Sequence, residues 1–201
     1  MGKARLVVRR GDLERGPRLK LLFGLFRFAL YGFLGLGSEV LFYTLVRAGR
    51  GIPGVEQLFR FSWKVDPRLG LDHIWSVPAV ALFGQCSLWM FLVYALASFV
   101  LIEPIYRKAA RRPFWLRALL YGVAILIFEA LSGLALKALT GYAIWYYDDA
   151  LNLLGTTSLY ILPLWTATGM LVELIYRELM DPTVRRAIES ELAEAKLPPA
   201  R

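Results

Sequence analysis

The sequence is short of the side chains on which most metal and covalent chemistry depends. Its 201 residues include one cysteine, Cys86, and one histidine, His73. A single cysteine excludes an intrachain disulfide, and a protein metal site usually takes three or four ligands. We therefore expect no metal and interpret His73 as a loop residue. No cofactor is expected either, because the chain carries no cofactor motif such as the phosphate-binding GxxxxGK[ST], and the lack of a nucleophile elbow gives no support to covalent catalysis.

Polar residues are also too few to cover a soluble domain of this length. The chain is 57% hydrophobic with a mean hydropathy of +0.49. Its apolar residues form long blocks rather than amphipathic stripes, which is typical of membrane spans. The pattern predicts an all-α integral membrane protein. We expect a bundle of about four transmembrane helices with short interfacial segments and a soluble C-terminal helix.

The apolar blocks place the spans at about residues 21–46, 77–106, 114–139 and 158–176. The first block is much longer than the ~7–15 residues of a signal-peptide core, so we interpret it as a retained span. The predicted organisation is a basic segment over 1–20, a transmembrane domain over 21–177 and a polar helical tail over 178–201. Phe59, Phe61 and Trp63 alternate with basic residues, which indicates a surface-lying segment between the first two spans.

Basic residues predominate but flank the apolar blocks. The net charge is +8, and seven of the 24 lysines and arginines fall within residues 1–20. In these positions they set topology and meet anionic lipid head groups, so we expect membrane lipids and no nucleic acid as partners. A second basic cluster lies between spans two and three. With four spans, this bias predicts that both termini are cytoplasmic.

Two carboxylates, Glu39 and Glu129, lie inside predicted spans. Such a charge costs roughly 2.5–3.5 kcal/mol on insertion scales, so it usually has a function. Gly32 and Gly35 share a helical face with Glu39, which favours close contact with another helix. Glu39 lies roughly 27 Å along its span and Glu129 roughly 22 Å along the third, so both are expected in the outer half of the membrane. By contrast, Glu103 and Glu173 precede basic residues, so Glu103 is predicted to be solvated or paired with a head group and Glu173 to be interfacial. Lys137 either pairs with a carboxylate of a neighbouring helix or extends outward to the interface.

An aromatic and acidic cluster follows the third span. One interpretation is an aromatic belt at the membrane interface. The adjacent aspartates favour the other, a polar pocket opening outward beneath this loop. The substrate-binding residues predicted for that pocket are Glu39, Glu129, Trp145, Tyr147, Asp148, Asp149 and Asn152.

Several short motifs occur in one order along the membrane part. They are GLGSEVLFY (residues 35–43), FEALSG (residues 128–133) and Trp145-x-Tyr147 with Gly155, followed by Pro163 and Trp165. In these motifs the chain resembles the CmpB-type ABC-transporter permeases of bacteria and the related animal transmembrane protein 229 family. The residues matched are Gly35, Glu39, Glu129, Gly133, Trp145, Tyr147 and Gly155. The chain departs where similar proteins have Trp-Asp-Tyr-Ser, since it reads Trp-Tyr-Tyr-Asp over 145–148.

The resemblance implies a transport protein of the bacterial cytoplasmic membrane that works with partner membrane subunits or a separate ATPase. Three functional hypotheses remain open. The first is a component that binds or helps translocate a lipid or other amphiphile. The second is a membrane-embedded lipid-modifying enzyme that uses Glu129 or Glu39 as general acid or base. The third is a structural protein whose carboxylates only join helices.

Overall fold

The computed structural model of the chain describes residues 17–49, 63–71, 79–82 and 84–179. Predictions about the basic segment before residue 17, about Phe59, Phe61 and His73, and about the tail from residue 180 lie outside the described residues.

Within these ranges, five α-helices form four helical segments of membrane length, which we call rods. The same residues hold four stretches long and apolar enough to cross a membrane: Leu21–Val46, Trp89–Ala109, Phe114–Thr140 and Leu159–Glu178. This confirms the predicted all-α bundle, and the chain is a multi-pass membrane protein. The helices are α1 (Pro17–Ala48), α2 (Trp89–Leu96), α3 (Glu103–Ala109), α4 (Phe114–Thr140) and α5 (Leu162–Leu179), with a π-helical stretch, Ala97–Ile102, joining α2 to α3.

In the described parts of the connections at one end of the bundle, the chain forms four two-residue strands. Strand β1 (Trp63–Lys64) pairs antiparallel with β2 (Tyr146–Tyr147), and β3 (Asn152–Leu153) pairs antiparallel with β4 (Thr157–Ser158). We call this the loop end, defined by residues 63–71 and 141–158. The opposite end holds Arg27, Arg107 and Arg117, and we call it the basic end.

The second span begins at Trp89, so the predicted start near residue 77 is wrong. Residues 79–81 form one 3₁₀ turn, and Leu82 has a positive φ of 48°. The chain then lies against α1, because a Cβ built on Gly84 would come within 2.2 Å of the Val40 carbonyl oxygen. Hydropathy does not distinguish this apolar connection from the helix that follows it.

Pro163 does not kink the fourth span. Helix α5 begins at Leu162, so Pro163 occupies its first turn. Backbone N–H groups there have no partner within the helix, and a proline costs no hydrogen bond at that position.

The closest packing is between α1 and α2 and between α4 and α5, so α1 with the α2–α3 segment forms one pair and α4 with α5 the other, while α3 also packs against α4 and α5. Small residues lie where the members of each pair meet. Gly32 and Gly35 face Phe91 and Tyr94, and Gly169 faces Tyr121. Close approach of backbones at glycine is a usual means of helix association in membranes.

The outward face of α4 is an apolar stripe. Leu119, Val123, Ile127 and Leu131 recur every four residues and are all exposed. Residues four apart lie on one side of a helix, so the stripe faces away from the bundle. An exterior as apolar as this is suited to lipid rather than to water.

Glu103 is buried, so the prediction of a solvated carboxylate is wrong. It is 0% exposed and accepts hydrogen bonds from Arg27 Nε at 2.8 Å, Tyr31 Oη at 3.0 Å and Arg107 at 3.0 Å. The nearby Arg107 suggested an exposed pair. The decisive partner, Arg27, is 76 positions away and comes from α1.

Glu173 is likewise buried rather than interfacial. It accepts two hydrogen bonds from Arg117 of α4, at 2.9 and 2.7 Å, and one from Tyr121 Oη at 2.6 Å. Each of these two ion pairs therefore joins the members of one helix pair at the basic end.

Candidate functional site

A cavity of about 150 Å³ lies between all four rods near the loop end. Glu39 reaches it from α1, Tyr94 from α2, Glu129 from α4 and Trp165 from α5. Trp145 borders it from the loop end. The lining residues are Ser38, Glu39, Phe42, Tyr43, Met90, Tyr94, Glu129, Trp145, Tyr147, Ile161, Leu164, Trp165 and Thr168. Four of the seven predicted substrate-binding residues are therefore brought together, namely Glu39, Glu129, Trp145 and Tyr147.

Glu129 is anchored on one wall by three hydrogen-bond donors. Tyr147 Oη donates to Oε1 at 2.9 Å, and Trp165 Nε1 donates to Oε2 at 2.9 Å. Thr157 Oγ1 also donates to Oε2. These donors come from the loop end and from α5, so one carboxylate joins α4 to both.

Glu39 lies on the opposite wall with less support. Its carboxylate is 8% exposed and interacts with Tyr94 and with the Cys86 thiol. Within the described residues, Oε2 accepts no hydrogen bond. A buried acceptor left without a donor costs free energy, roughly 1–3 kcal/mol, and a ligand with an N–H or O–H would recover it.

The groups beside the two carboxylates are protonated donors. Burial, and then the nearby Glu39, hold the pKa of the Cys86 thiol well above its ordinary range. Burial and Glu129 do the same for the pKa of Tyr147. A thiol in this state is a poor nucleophile, because the thiolate is the reactive form.

A smaller cavity of about 30 Å³ adjoins the first and shares Tyr94, Glu129 and Trp165 with it. Its far wall includes Ala97 and Ser98 from the π-helical stretch. Single π turns occur often at functional sites, where they displace side chains from the regular helical positions. Here the π turns lie between the cavity and the buried Glu103.

Asp148, Asp149 and Asn152 do not line the cavity. Asp149 Oδ1 accepts hydrogen bonds from Ser158 Oγ at 2.8 Å and from the Leu151 amide at 3.0 Å. Asn152 donates to the Asp149 carbonyl and accepts from the Gly155 amide. Asp148 forms a half-exposed ion pair with Lys64. These three residues shape the loop end, and its fold in turn positions Trp145 and Tyr147.

A set of contacts that we call the loop latch is formed by residues 63–68 and 141–148, and two of these residues, Trp145 and Tyr147, line the cavity. Strand β1 places Trp63 opposite Tyr147, and the Asp66 amide donates to the Ala143 carbonyl at 3.0 Å. Asp66 Oδ2 accepts from the Ala143 amide at 3.1 Å, and Arg68 donates to the Gly141 carbonyl at 2.7 Å. The latch joins the connection after α1 to the connection after α4.

Sequence reasoning did not select Asp66, Tyr94, Thr157 or Trp165 for the site. Tyr94 and Trp165 carry a polar atom within or beside an apolar span, which is a detectable signal. Asp66 and Thr157 lie in loops, where polar residues are ordinary. Only the folded chain places Thr157 beside a glutamate 28 positions away.

We expect Asp66→Ala to open the loop latch. The Arg68 guanidinium holds the pKa of Asp66 below its ordinary range, so the charged form stabilises the latch at neutral pH. A lowered folded-state pKa means that this stabilisation is complete above the ordinary carboxyl pKa of about 3.9 and is lost as the pH falls below it. The protection factor of the Ala143 amide, which is the ratio of its intrinsic to its observed hydrogen-exchange rate, should fall roughly tenfold in Asp66→Ala, and also in wild type under strong acid.

Asp148→Ala is the control for this experiment, because it removes an ion pair that is half-exposed and of little value to stability. Equal exchange rates in Asp66→Ala and Asp148→Ala would contradict the assigned role of Asp66.

No family model, curated protein or solved structure matches this chain. The resemblance to the CmpB-type permeases therefore stays a prediction drawn from the motifs. Of its matched residues, Glu39, Glu129, Trp145 and Tyr147 line the cavity, and Gly35 and Gly133 lie against its walls. A Cβ on Gly133 would approach Thr156 at 2.9 Å and Trp145 at 3.2 Å.

Proposed function

We propose that this membrane protein binds the polar head of a lipid or other amphiphile in the cavity and helps to translocate it, as the membrane component of a transporter. One observation carries the proposal. Two buried carboxylates from different helix pairs, Glu39 and Glu129, face a single cavity within an otherwise apolar bundle. Carboxylates within membrane spans are costly and typically mark substrate pathways.

The size of the cavity supports a head group rather than a whole lipid. A cavity of about 150 Å³ holds a benzene-sized group, which is the scale of a small lipid head. The apolar remainder of such a ligand is compatible with the lipid-facing surface of the bundle, where Phe33 and Leu41 of α1 are exposed. An amphiphile thus matches both the polar interior and the apolar exterior.

The groups around the carboxylates favour binding over covalent catalysis. Ser38 Oγ donates to the Gly35 carbonyl at 2.8 Å, and Thr157 Oγ1 donates to Glu129. Cys86 is held as the thiol by its surroundings. An activated nucleophile needs both a base that accepts its proton and access to the substrate. Thr157 and Cys86 lie beside a carboxylate but do not line the cavity, whereas Ser38 lines it but donates to a backbone carbonyl. Chemistry in which Glu129 or Glu39 acts only as general acid or base is the second candidate function.

The motif resemblance supports transport and implies that a separate ATPase or partner membrane subunits supply energy and complete the path. The resemblance also supports a location in the bacterial cytoplasmic membrane. With both termini in the cytoplasm, as the charge bias predicts, the loop latch lies on the outer side. The cavity then faces the outer leaflet.

Native mass spectrometry of the purified protein tests the binding function. We expect wild type to retain an amphiphile from host membranes and Glu39→Gln to retain about tenfold less, since a buried hydrogen bond to a charged group is lost. Glu178→Gln is the matched control, because Glu178 is exposed at the end of α5. Equal retention in all three proteins would mean that the lipid binds elsewhere.

Lipid extracts from cells expressing wild type, Glu129→Gln or no protein separate binding from catalysis. Identical lipid chemistry in the three extracts is the result expected of a binding or transport protein. A covalently altered lipid present only with wild type would overturn the proposal in favour of the enzyme.

A further inference from the structure

The two carboxylates at the cavity differ from the other buried carboxylates of the described residues in lacking a basic partner. Those others are Asp66, Glu103 and Glu173, and each forms an ion pair with an arginine. Neither Glu39 nor Glu129 forms an ion pair within the part of the chain that the structure describes. No lysine or arginine of that part lines the cavity. The chain thus supplies cations for buried acids elsewhere but not here.

Glu39 and Glu129 also lie close enough to interact electrostatically. Two acidic groups facing one poorly solvated space favour a cation between them and disfavour an anion such as a phosphate. This electrostatic preference narrows the range of head groups that the cavity can take.

The two carboxylates would contribute differently to binding a ligand, because their own hydrogen bonds differ. Glu129 has its oxygens occupied by three donors from Tyr147, Thr157 and Trp165. Among the described residues, no donor reaches the buried Glu39 Oε2. A ligand therefore meets an unused acceptor at Glu39 and a second acidic group, already hydrogen-bonded, at Glu129. The ligand atom nearest Glu39 should accordingly carry a hydrogen.

Aromatic rings form much of the remaining wall, among them Tyr94, Trp145 and Trp165. The negative face of an aromatic ring attracts cations, and aromatic enclosures are a usual setting for ammonium groups. The aromatic rings and the two carboxylates thus both favour a cationic ligand that carries an ammonium group.

We propose that the cavity binds the protonated amine of an amphiphile, with an N–H donating to Glu39 Oε2, Glu129 supplying a second negative charge and the aromatic walls surrounding the ammonium group. This inference rests on the proposed amphiphile-binding function and specifies its substrate class. Uncharged heads and anionic heads are the alternatives that the following test separates.

The test uses the full chain in a neutral maltoside detergent at pH 7, with tryptophan emission as the signal because Trp145 and Trp165 line the cavity. The probes are n-dodecylamine, its uncharged counterpart N-dodecylacetamide, the anionic dodecyl phosphate and the chain-free n-butylamine. We expect dodecylamine to bind saturably and about tenfold more tightly than dodecylacetamide, since the charged hydrogen bond is the stronger one. Glu39→Gln should abolish that preference, and Glu178→Gln should keep it.

Equal binding of dodecylamine and dodecylacetamide to wild type would overturn the amine inference while leaving amphiphile binding intact. This comparison needs no variant, so it holds even where Glu39→Gln fails to fold. Stronger binding of dodecyl phosphate would likewise overturn the amine inference alone. If butylamine bound as tightly as dodecylamine, the site would still be an amine site, but the claim that its ligand is an amphiphile would be overturned. Absence of saturable binding by every probe, together with purified protein free of lipid, would overturn the proposed function itself.

Discussion

Glu103→Ala is expected to cost about 3–5 kcal/mol of folding free energy, the usual penalty for removing one partner of a buried ion pair. The substitution removes the carboxylate to which Arg27, whose side chain is only 12% exposed, donates hydrogen bonds. It also removes the acceptor of the buried Tyr31 hydroxyl. Unfolding in mixed detergent micelles with increasing dodecyl sulfate, followed by circular dichroism, measures the loss.

Arg107→Ala is the matched control for this loss. Arg107 contacts the same carboxylate, but its side chain is 59% exposed. Removing it keeps the two contacts between Arg27 and Glu103, so the expected cost is below about 1 kcal/mol. Equal losses in Glu103→Ala and Arg107→Ala would show that burial of the pair does not determine its contribution to stability.

Gly35→Ala is the second substitution with a large expected effect. A Cβ at this position would lie 2.2 Å from Tyr94 Cγ and 2.3 Å from Tyr94 Cβ, distances that force α1 and α2 apart. Such overpacking typically costs about 1–3 kcal/mol. Because Tyr94 interacts with Glu39, its displacement should also weaken retention of the amphiphile. Thermal unfolding and native mass spectrometry of the same sample measure both effects.

Gly37→Ala, two residues away, should have the opposite effect on stability. A Cβ on Gly37 meets no atom within 4 Å. Alanine is the better helix former by up to about 1 kcal/mol, so the variant should unfold slightly later than wild type. If Gly35→Ala were as stable as Gly37→Ala, the close contact between α1 and Tyr94 would be wrong.

The features that the sequence predicts well are those that depend on spacing along one helix. Helix α4 spans Phe114–Thr140, within one residue of the predicted 114–139. The expected shared depth of Glu39 and Glu129 agrees with the single cavity that both line. In each case a rise of 1.5 Å per residue converts sequence position directly into depth, and no knowledge of the neighbours is needed.

The features that the sequence does not predict depend on contacts between distant segments. Nothing local to Glu103 distinguishes a pair with Arg27 from an exposed pair with Arg107. The role of Asp66 depends on Ala143, which is 77 positions away. Asp149 and Asn152 suggested a binding role by their polarity, but the loop uses them to satisfy its own backbone and Ser158. Polarity alone does not distinguish a residue that binds a ligand from one that forms hydrogen bonds within the protein.

The placement of directional bonds also has a mechanical consequence. Among the described residues, the ion pairs of the basic end hold each helix pair together internally, Arg27 with Glu103 and Arg117 with Glu173. There, contact between the pairs includes rings, such as Tyr106 against Tyr176 at 5.7 Å. At the loop end the connections of the two pairs are joined by backbone hydrogen bonds. Parting the two helix pairs would therefore break backbone hydrogen bonds at the loop end, whereas at the basic end it would separate packed side chains, including those of α3 against α4 and α5.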